Sequence, residues 1–402
     1  MTSRRLHSGA PFWLVRDGMR EEEPRAPRRG RYDVVVVGAG VTGALIADAL
    51  AAEGLSVLIV DRGAPATGST AASTALLQYE LDAELHDLVA KIGEADAVRA
   101  YHLCAEAIDT LEALARELGA SCDFARRPSL YLATHRRDVR RLEAEAEVRA
   151  RVGLDATFWD REQLRSQYTF PAHAALRSDT AAVIDPVRVT HALLDRARAR
   201  GAESLGRTAV AHWESVPRGV LVRTSRGSVE AGHLVLAVGY ELPAGVPRDV
   251  VSLRDTFAIV TEPVDEVDGW GDRCLAWETA RPYAYLRGTP DGRIMMGGMD
   301  TAFRDPARRE RLLAARGRAL ARQLKRWLPC APVDVAFRWA GSFAETDDGL
   351  PLIGALPGAP RVLYALGYGG NGITFGVVGR RLITDHCLGV PNEDARIFRL
   401  DR

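Results

Sequence analysis

Asp33-Val34-Val35-Val36-Val37-Gly38-Ala39-Gly40-Val41-Thr42-Gly43 is the stretch that decides the fold. The β-branched run reads as a strand buried on both faces. Gly38 to Gly43 then spells G-x-G-x-x-G, and Ala44 to Glu53 continues as a helix. Ser56 to Asp61 forms a second apolar strand, so the segment is a β-α-β unit whose right-handed crossover makes the strands parallel. Alone, the glycine spacing is a weak signal. Here it follows a strand, opens a helix, and is answered by an acidic residue, Asp61, 18 positions after Gly43. Gly38 permits the tight turn, Gly40 lets the backbone approach a pyrophosphate, and Gly43 lets helix and strand pack closely. The helix N-terminus presents unpaired N–H groups and the positive end of its dipole to phosphate. Asp61 would accept hydrogen bonds from a ribose.

The fingerprint does not separate one dinucleotide from another, but the residues after it do. Gly68-Ser69-Thr70-Ala71-Ala72-Ser73 is a small-residue loop, followed by Leu76-Leu77-Gln78-Tyr79, and it lets backbone and hydroxyls approach a bulky ring system. Further out, residues 1–30 read as an irregular arm around the apolar island Pro11-Phe12-Trp13-Leu14-Val15. Glu94 to Leu118 and Asp138 to Val152 are amphipathic helices, and Ser129 to Thr134 is a strand. Asp185-Pro186 is placed as N-cap and first helical residue of a helix reaching Arg200. Leu234 to Val238 is a buried strand. A strand-rich block runs from Val250 to Ser342, broken by an Arg-rich helix from Ala307 to Leu328. A strand at Val362 to Leu366, a glycine turn and a helix from Ile373 to about Leu388 close the chain.

The 402 residues carry 53 basic and 53 acidic side chains and are 47% hydrophobic. That composition is globular, and zero net charge gives no electrostatic draw toward nucleic acid or anionic membrane. Only Lys91 and Lys325 are lysines; arginine carries the remaining basic charge. The five cysteines form no Cys-x-x-Cys pair, which argues against metal clusters, dithiol chemistry and a disulfide framework. No metal is expected. The longest uncharged stretch, Val34 to Ala47, is too short to span a bilayer, and the polar N-terminus lacks a signal-peptide core. A cytoplasmic setting is expected.

With these stations in place, the chain from about residue 31 to 402 resembles the D-amino-acid oxidase and glycine/sarcosine oxidase superfamily of FAD enzymes. The resemblance rests on Val34 to Asp61, on Gly68-Ser69-Thr70, and on Ala182-Val183-Ile184-Asp185-Pro186 leading to His233-Leu234-Val235-Leu236-Ala237-Val238-Gly239. It is completed by Asp348-Gly349-Leu350-Pro351-Leu352-Ile353-Gly354 with Gly367-Tyr368-Gly369-Gly370-Asn371-Gly372-Ile373-Thr374. It implies an α/β fold: a Rossmann-like FAD-binding domain of the GR2-type flavoproteins, interleaved with an α+β substrate domain that contains a mostly antiparallel sheet. The FAD-binding part is expected from 31–120, 180–245 and 345–402, and the substrate part from 121–179 and 246–344. The cofactor residues it implies are Gly38, Gly40, Val41, Thr42, Gly43, Asp61, Arg62, Gly68, Ser69, Thr70, Val210, Gly239, Gly370, Asn371, Gly372, Ile373 and Thr374. The terminal helix start would stabilise negative charge on the reduced ring.

The chain also departs from that pattern. In Trp339-Ala340-Gly341-Ser342-Phe343-Ala344-Glu345-Thr346, Phe343 stands where glycine-oxidase-like members carry a carboxylate-binding arginine. Glu345, two residues on, would repel a carboxylate. Members with covalent flavin use a cysteine in this stretch; none is present, so noncovalent FAD is expected. Substrate candidates come from Arg281-Pro282-Tyr283-Ala284-Tyr285-Leu286-Arg287, a period-two strand that places Tyr283, Tyr285 and Arg287 on one face. Arg281, Arg287 and Phe343 are assigned to substrate binding, and Tyr283, Tyr285, Gln78 and Glu345 to the catalytic face. The implied reaction is oxidation of a C–N bond in an amine or amino-acid-like small molecule, with oxygen or a carrier as electron acceptor. A flavin dehydrogenase of a hydroxy acid or polyol is the alternative enzyme. A flavin-binding assembly protein without turnover is the alternative outside enzymes, because fold does not fix function.

Overall fold

The computed structural model describes residues 7–22, 25–119, 122–241 and 250–402. The expected boundaries at 120/121 and 245/246 lie outside the described residues. Arg31–Val37 is a strand, Val41–Ala52 a helix with Gly40 at its N-cap, and Val57–Val60 the next strand, parallel to the first with Val34 opposite Val57. Glu203–Leu205 extends the sheet beyond Val57–Val60, and Gly227–Gly239 lies on the other side of Arg31–Val37. That last strand serves two partners. Val229 and its neighbours pair antiparallel with Gly219–Thr224, while Leu234 to Gly239 pairs parallel with Ala359–Leu366. The sequence marked only Leu234 to Val238, because only that half is buried on both faces.

Helices Val41–Ala52, Glu94–Leu118, Pro186–Ala199 and Gly372–Leu388 cover one face of this sheet through Leu45, Ala100, Ile108, Leu193 and Val377. Asp185 caps the third of these by accepting from the Val187 and Arg188 N–H groups, with Pro186 at the first helical position. A second sheet holds nine strands among the described residues. All its neighbours are antiparallel except Ser129–Leu132 against Leu275–Glu278. The Arg-rich helix, Pro306–Trp327, packs its Leu313, Leu320, Leu324 and Trp327 onto the back of that sheet against Ile259 and Met296. The opposite face looks toward the glycine turn of the first sheet. No described helix is long and apolar enough to cross a membrane.

Within the arm, residues 7–17 hold two short regular elements, and 18–22 and 25–30 hold none. His7–Gly9 adds an antiparallel edge strand to Trp339–Gly341, and Phe12–Asp17 is a helix. Phe12 and Trp13 are buried in a cluster with Ala71, Val187, Ala258 and Trp339. The apolar island supplies the reason: two large rings placed between the two sheets remove more apolar surface from water than a loose arm could.

Candidate active site

A cavity of about 840 Å³ runs between the sheets, within the size range of cofactor and substrate sites. Gly38, Gly40, Val41, Thr42, Asp61, Arg62 and Val210 line one end. The glycines there have no room for a side chain. A Cβ on Gly43 would lie 1.8 Å from the Gly38 carbonyl oxygen, and one on Gly38, at φ +110°, would lie 2.2 Å from that of Ala237. Gly43 does not line the cavity; it keeps the turn closed beneath it. Gly40 faces Thr70, whose Oγ1 accepts the Val41 N–H at 2.9 Å. The helix start has no side-chain cap, so a phosphate is a fitting partner for its remaining N–H groups. The Asp61 carboxylate accepts the N–H groups of Ala39 at 2.8 Å and Gly63 at 2.7 Å. Burial raises its pKa, against the lowering effect of those two bonds. Arg62 forms a bidentate pair with Glu241 at 2.7 and 2.5 Å on the rim.

The loop after Gly68 forms the middle of the cavity, and its carbonyls are clamped one after another. Trp339 Nε1 donates to Ala72 O at 2.9 Å and Trp13 Nε1 to Ser73 O at 2.7 Å. Arg287 Nη1 donates to Thr74 O at 3.2 Å and Ala75 O at 2.8 Å, and also to Ile184 O. Above this clamp the Ser69 hydroxyl is buried without a partner on the cavity wall, as expected of a group waiting for a ligand. A bulky planar cofactor fits this cradle, and Gly239 and Gly370, Asn371, Gly372 and Ile373 complete its lining. Asn371 Nδ2 donates to the carbonyls of Gln78 and Glu80, tying the start of the last helix to the strand Leu76–Gln78. Thr374 lies outside the lining, with its hydroxyl 3.5 Å from Gln78 O.

Gln78, Glu80, Asp82, Thr256, Trp277, Tyr283, Tyr285 and Phe343 line the other end. Tyr285 lies flat over its cross-strand partner Gly297, where a Cβ would meet the ring at 2.4 Å. The Tyr283 hydroxyl donates to Asp82 Oδ1 at 3.3 Å, and Asp82 Oδ2 accepts the Gly370 N–H at 3.2 Å. Gln78 donates to Ser129 Oγ at 3.0 Å. Burial raises both tyrosine hydroxyls, Tyr285 to about 12, with nearby Asp82 and Asp300 adding to the effect. Burial likewise raises the Glu80 carboxyl, and it raises Asp300, beside Asp82 and Glu345, to about 7.

Three residues expected at the substrate lie elsewhere. Arg287 is fully buried under the loop that follows Gly68, where its guanidinium serves carbonyls; period two put it on the tyrosine face, but the loop occupies that part of the face. Burial holds its pKa down at about 9. Arg281 is exposed, donates to the carbonyls of Glu278 and Ala280, and lies over the Tyr283 ring at 5.1 Å. Glu345 shares the strand Val335–Glu345 with Phe343 but pairs with Arg254 at 2.9 Å, outside the lining. Sequence reasoning missed Glu80, Asp82 and Trp277. The alternation Gln78-Tyr79-Glu80-Leu81-Asp82 was the available signal, since all three polar residues line the cavity. Neither Lys91 nor Lys325 lines it; they donate to Asp347 O and Ala331 O. Away from the cavity, Glu84, His86 and Asp87 bring possible metal-ligand atoms within 4.8 Å of one another. The contacts of the His86 ring with carboxylate oxygens of Glu84, Asp87 and Glu145, at 3.6, 3.1 and 2.9 Å, account for that grouping.

Comparison with known proteins agrees with this architecture. Glycine oxidase from Bacillus subtilis (strain 168) is 26% identical over 383 residues, covering 92% of this chain and 97% of that protein. The tRNA 5-methylaminomethyl-2-thiouridine biosynthesis bifunctional protein MnmC from Caulobacter sp. (strain K31) is 29% identical over 97% of this chain, which spans 58% of that protein. The crystal structure of glycine oxidase from Geobacillus kaustophilus superposes with a TM-score of 0.79 at 21% identity, over 93% of this chain and 99% of that one, so the fold is shared. Residues 33–385 match the family described as FAD dependent oxidoreductase (DAO). With the glycine cradle, the small-residue loop and the covering sheet all in place, the chain belongs to the DAO family of FAD-dependent oxidoreductases.

Proposed function

We propose that this enzyme oxidises the C–N bond of an amine that carries no carboxylate beside the reacting nitrogen. The observation that carries this reading is the lining of the substrate end. Phe343 occupies the arginine position, and no lysine or arginine lines that end among the described residues, whereas Glu80 and Asp82 do. An α-carboxylate there would meet aromatic rings and two carboxyl groups without a bidentate partner. Bound FAD supplies a two-electron acceptor for a hydride.

In our reading Gly38, Gly40 and the helix start hold the pyrophosphate, Asp61 the ribose, and Gly68 to Thr70 with Gly370 to Ile373 the ring. Tyr283, Tyr285 and Phe343 press the substrate carbon against that ring and exclude water, a positioning role that needs no strong acid or base. The carbon gives up its hydrogen with the bonding pair, the nitrogen releases a proton to water, and the resulting imine takes up water to give a carbonyl compound and ammonia, or a smaller amine where the nitrogen is substituted. No cysteine lines the cavity, in keeping with noncovalent attachment. The test is anaerobic mixing of the yellow protein with separate panels of amines and hydroxy acids. Bleaching of the flavin by amines, with matching release of ammonia or amine, supports the reading. Bleaching only by hydroxy acids or polyols overturns it.

A further inference from the structure

Glu80 is only 3% exposed and lines the cavity, yet neither carboxylate oxygen has a hydrogen-bond partner. Burying a carboxylate without a partner costs several kcal/mol, so burial favours the neutral form of Glu80, and a cation brought against it restores the charge. Arg149 favours its charge from a distance, but only its Nε is bonded, to Glu145 at 2.7 Å, and its two Nη groups stay buried without closing an ion pair to Glu80. The Ser129 hydroxyl, which accepts from Gln78, lies close enough to favour the charged form of Glu80 but supplies no positive charge. The indole N–H of Trp277, at the same end, is also buried without a partner. Tyr283 and Tyr285 complete an aromatic wall, and Asp82 adds a second carboxylate. Carboxylates framed by aromatic rings are the surroundings that protonated nitrogens bind best.

The reacting nitrogen must give up its proton for hydride transfer, so a carboxylate that holds a permanent cation serves some other nitrogen. We propose that the substrate carries a second, protonated nitrogen several bonds from the reacting one, and that Glu80 pairs with it. The substrate class is then the α,ω-diamines and aminoalkyl guanidines. This rests on the amine-oxidation reading above. The experiment titrates dithionite-reduced holoenzyme, which cannot turn over, with 1,4-diaminobutane and with butylamine by calorimetry. The expected result is at least about tenfold tighter binding of the diamine, the scale of one charge-assisted hydrogen bond. In Glu80→Gln, checked for native FAD content, the ratio falls below about threefold; Glu80→Asp retains part of it. Equal affinities in the native protein, or an unchanged ratio in Glu80→Gln, overturn the proposal. The native comparison decides even if the variant fails to fold. If no amine bleaches the flavin yet the diamine binds more tightly, amine oxidation falls while the cation site stands.

Discussion

Trp13 connects the N-terminal arm to the cofactor loop, and its replacement separates packing from hydrogen bonding. The ring is fully buried, meets Phe12 edge to face at 5.0 Å, and donates to Ser73 O at 2.7 Å. Trp13→Ala deletes a core aromatic, which costs roughly 3–5 kcal/mol, and strands a buried carbonyl acceptor for about 1–3 kcal/mol more. Partial collapse of the site makes roughly 4–6 kcal/mol the expected total. Trp13→Phe keeps most of the apolar area and loses the N–H, so about 1–3 kcal/mol is expected. Because Ser73 belongs to the cradle, the loss appears in cofactor binding as well: roughly 5- to 150-fold weaker FAD affinity for Trp13→Phe. Urea unfolding of apoprotein and FAD titration by flavin fluorescence measure the two effects. A Trp13→Phe protein with stability and FAD affinity unchanged within about 0.5 kcal/mol would refute the idea that the arm holds the loop through this bond.

Gly40→Val is expected to abolish FAD binding, since even a Cβ there sits 2.9 Å from Thr70 Oγ1 on the side the pyrophosphate approaches; stoichiometric flavin in the folded variant contradicts this. Asp61→Ala should weaken FAD by about 1–3 kcal/mol, read by the same titration. Asp300, with its carboxyl raised from 3.8 to about 7, holds its proton more tightly in the fold. Its stabilising contribution is therefore complete below about pH 4 and is lost as pH rises through 7, on the order of 4 kcal/mol at most. Asp300→Asn should come nearest the native protein at about pH 4 and exceed its stability by progressively more toward pH 8; a pH-independent difference in urea unfolding rules this out. Phe343→Arg should gain flavin reduction by sarcosine, which stopped-flow absorbance detects; no gain in a folded, FAD-loaded variant means that position does not face the substrate.

The first sheet was legible because its signals are local. Four consecutive valines, a glycine spacing that tolerates no Cβ and an aspartate at the next strand end all lie within 29 residues, from Asp33 to Asp61. The Asp185-Pro186 cap and the helix Glu94–Leu118 were readable for the same reason. What escaped depends on contacts between distant segments. Trp13 and Trp339 lie far apart in sequence yet bind adjacent carbonyls, Ser73 and Ala72. Period two put Arg287 with the tyrosines, but it cannot say that a loop from residues 74 and 75 covers that end of the face. Glu345 shares the Phe343 side of its strand, and Arg254, directly opposite Phe343 on the next strand, draws it away. Glu80 and Asp82 were hidden because a carboxylate in sequence reads as solvated until the fold buries it.

The central claim is that this cavity receives an amine without a neighbouring carboxylate. The most direct measurement is the rate of flavin bleaching when anaerobic native protein is mixed with a simple alkylamine or diamine and, separately, with glycine and sarcosine. Amines without a carboxylate are expected to reduce the flavin, and glycine and sarcosine to do so at least about tenfold more slowly, the loss expected without a bidentate arginine. Fast reduction by glycine or sarcosine, with the alkylamines inert, would mean that another group holds the carboxylate and would contradict this claim.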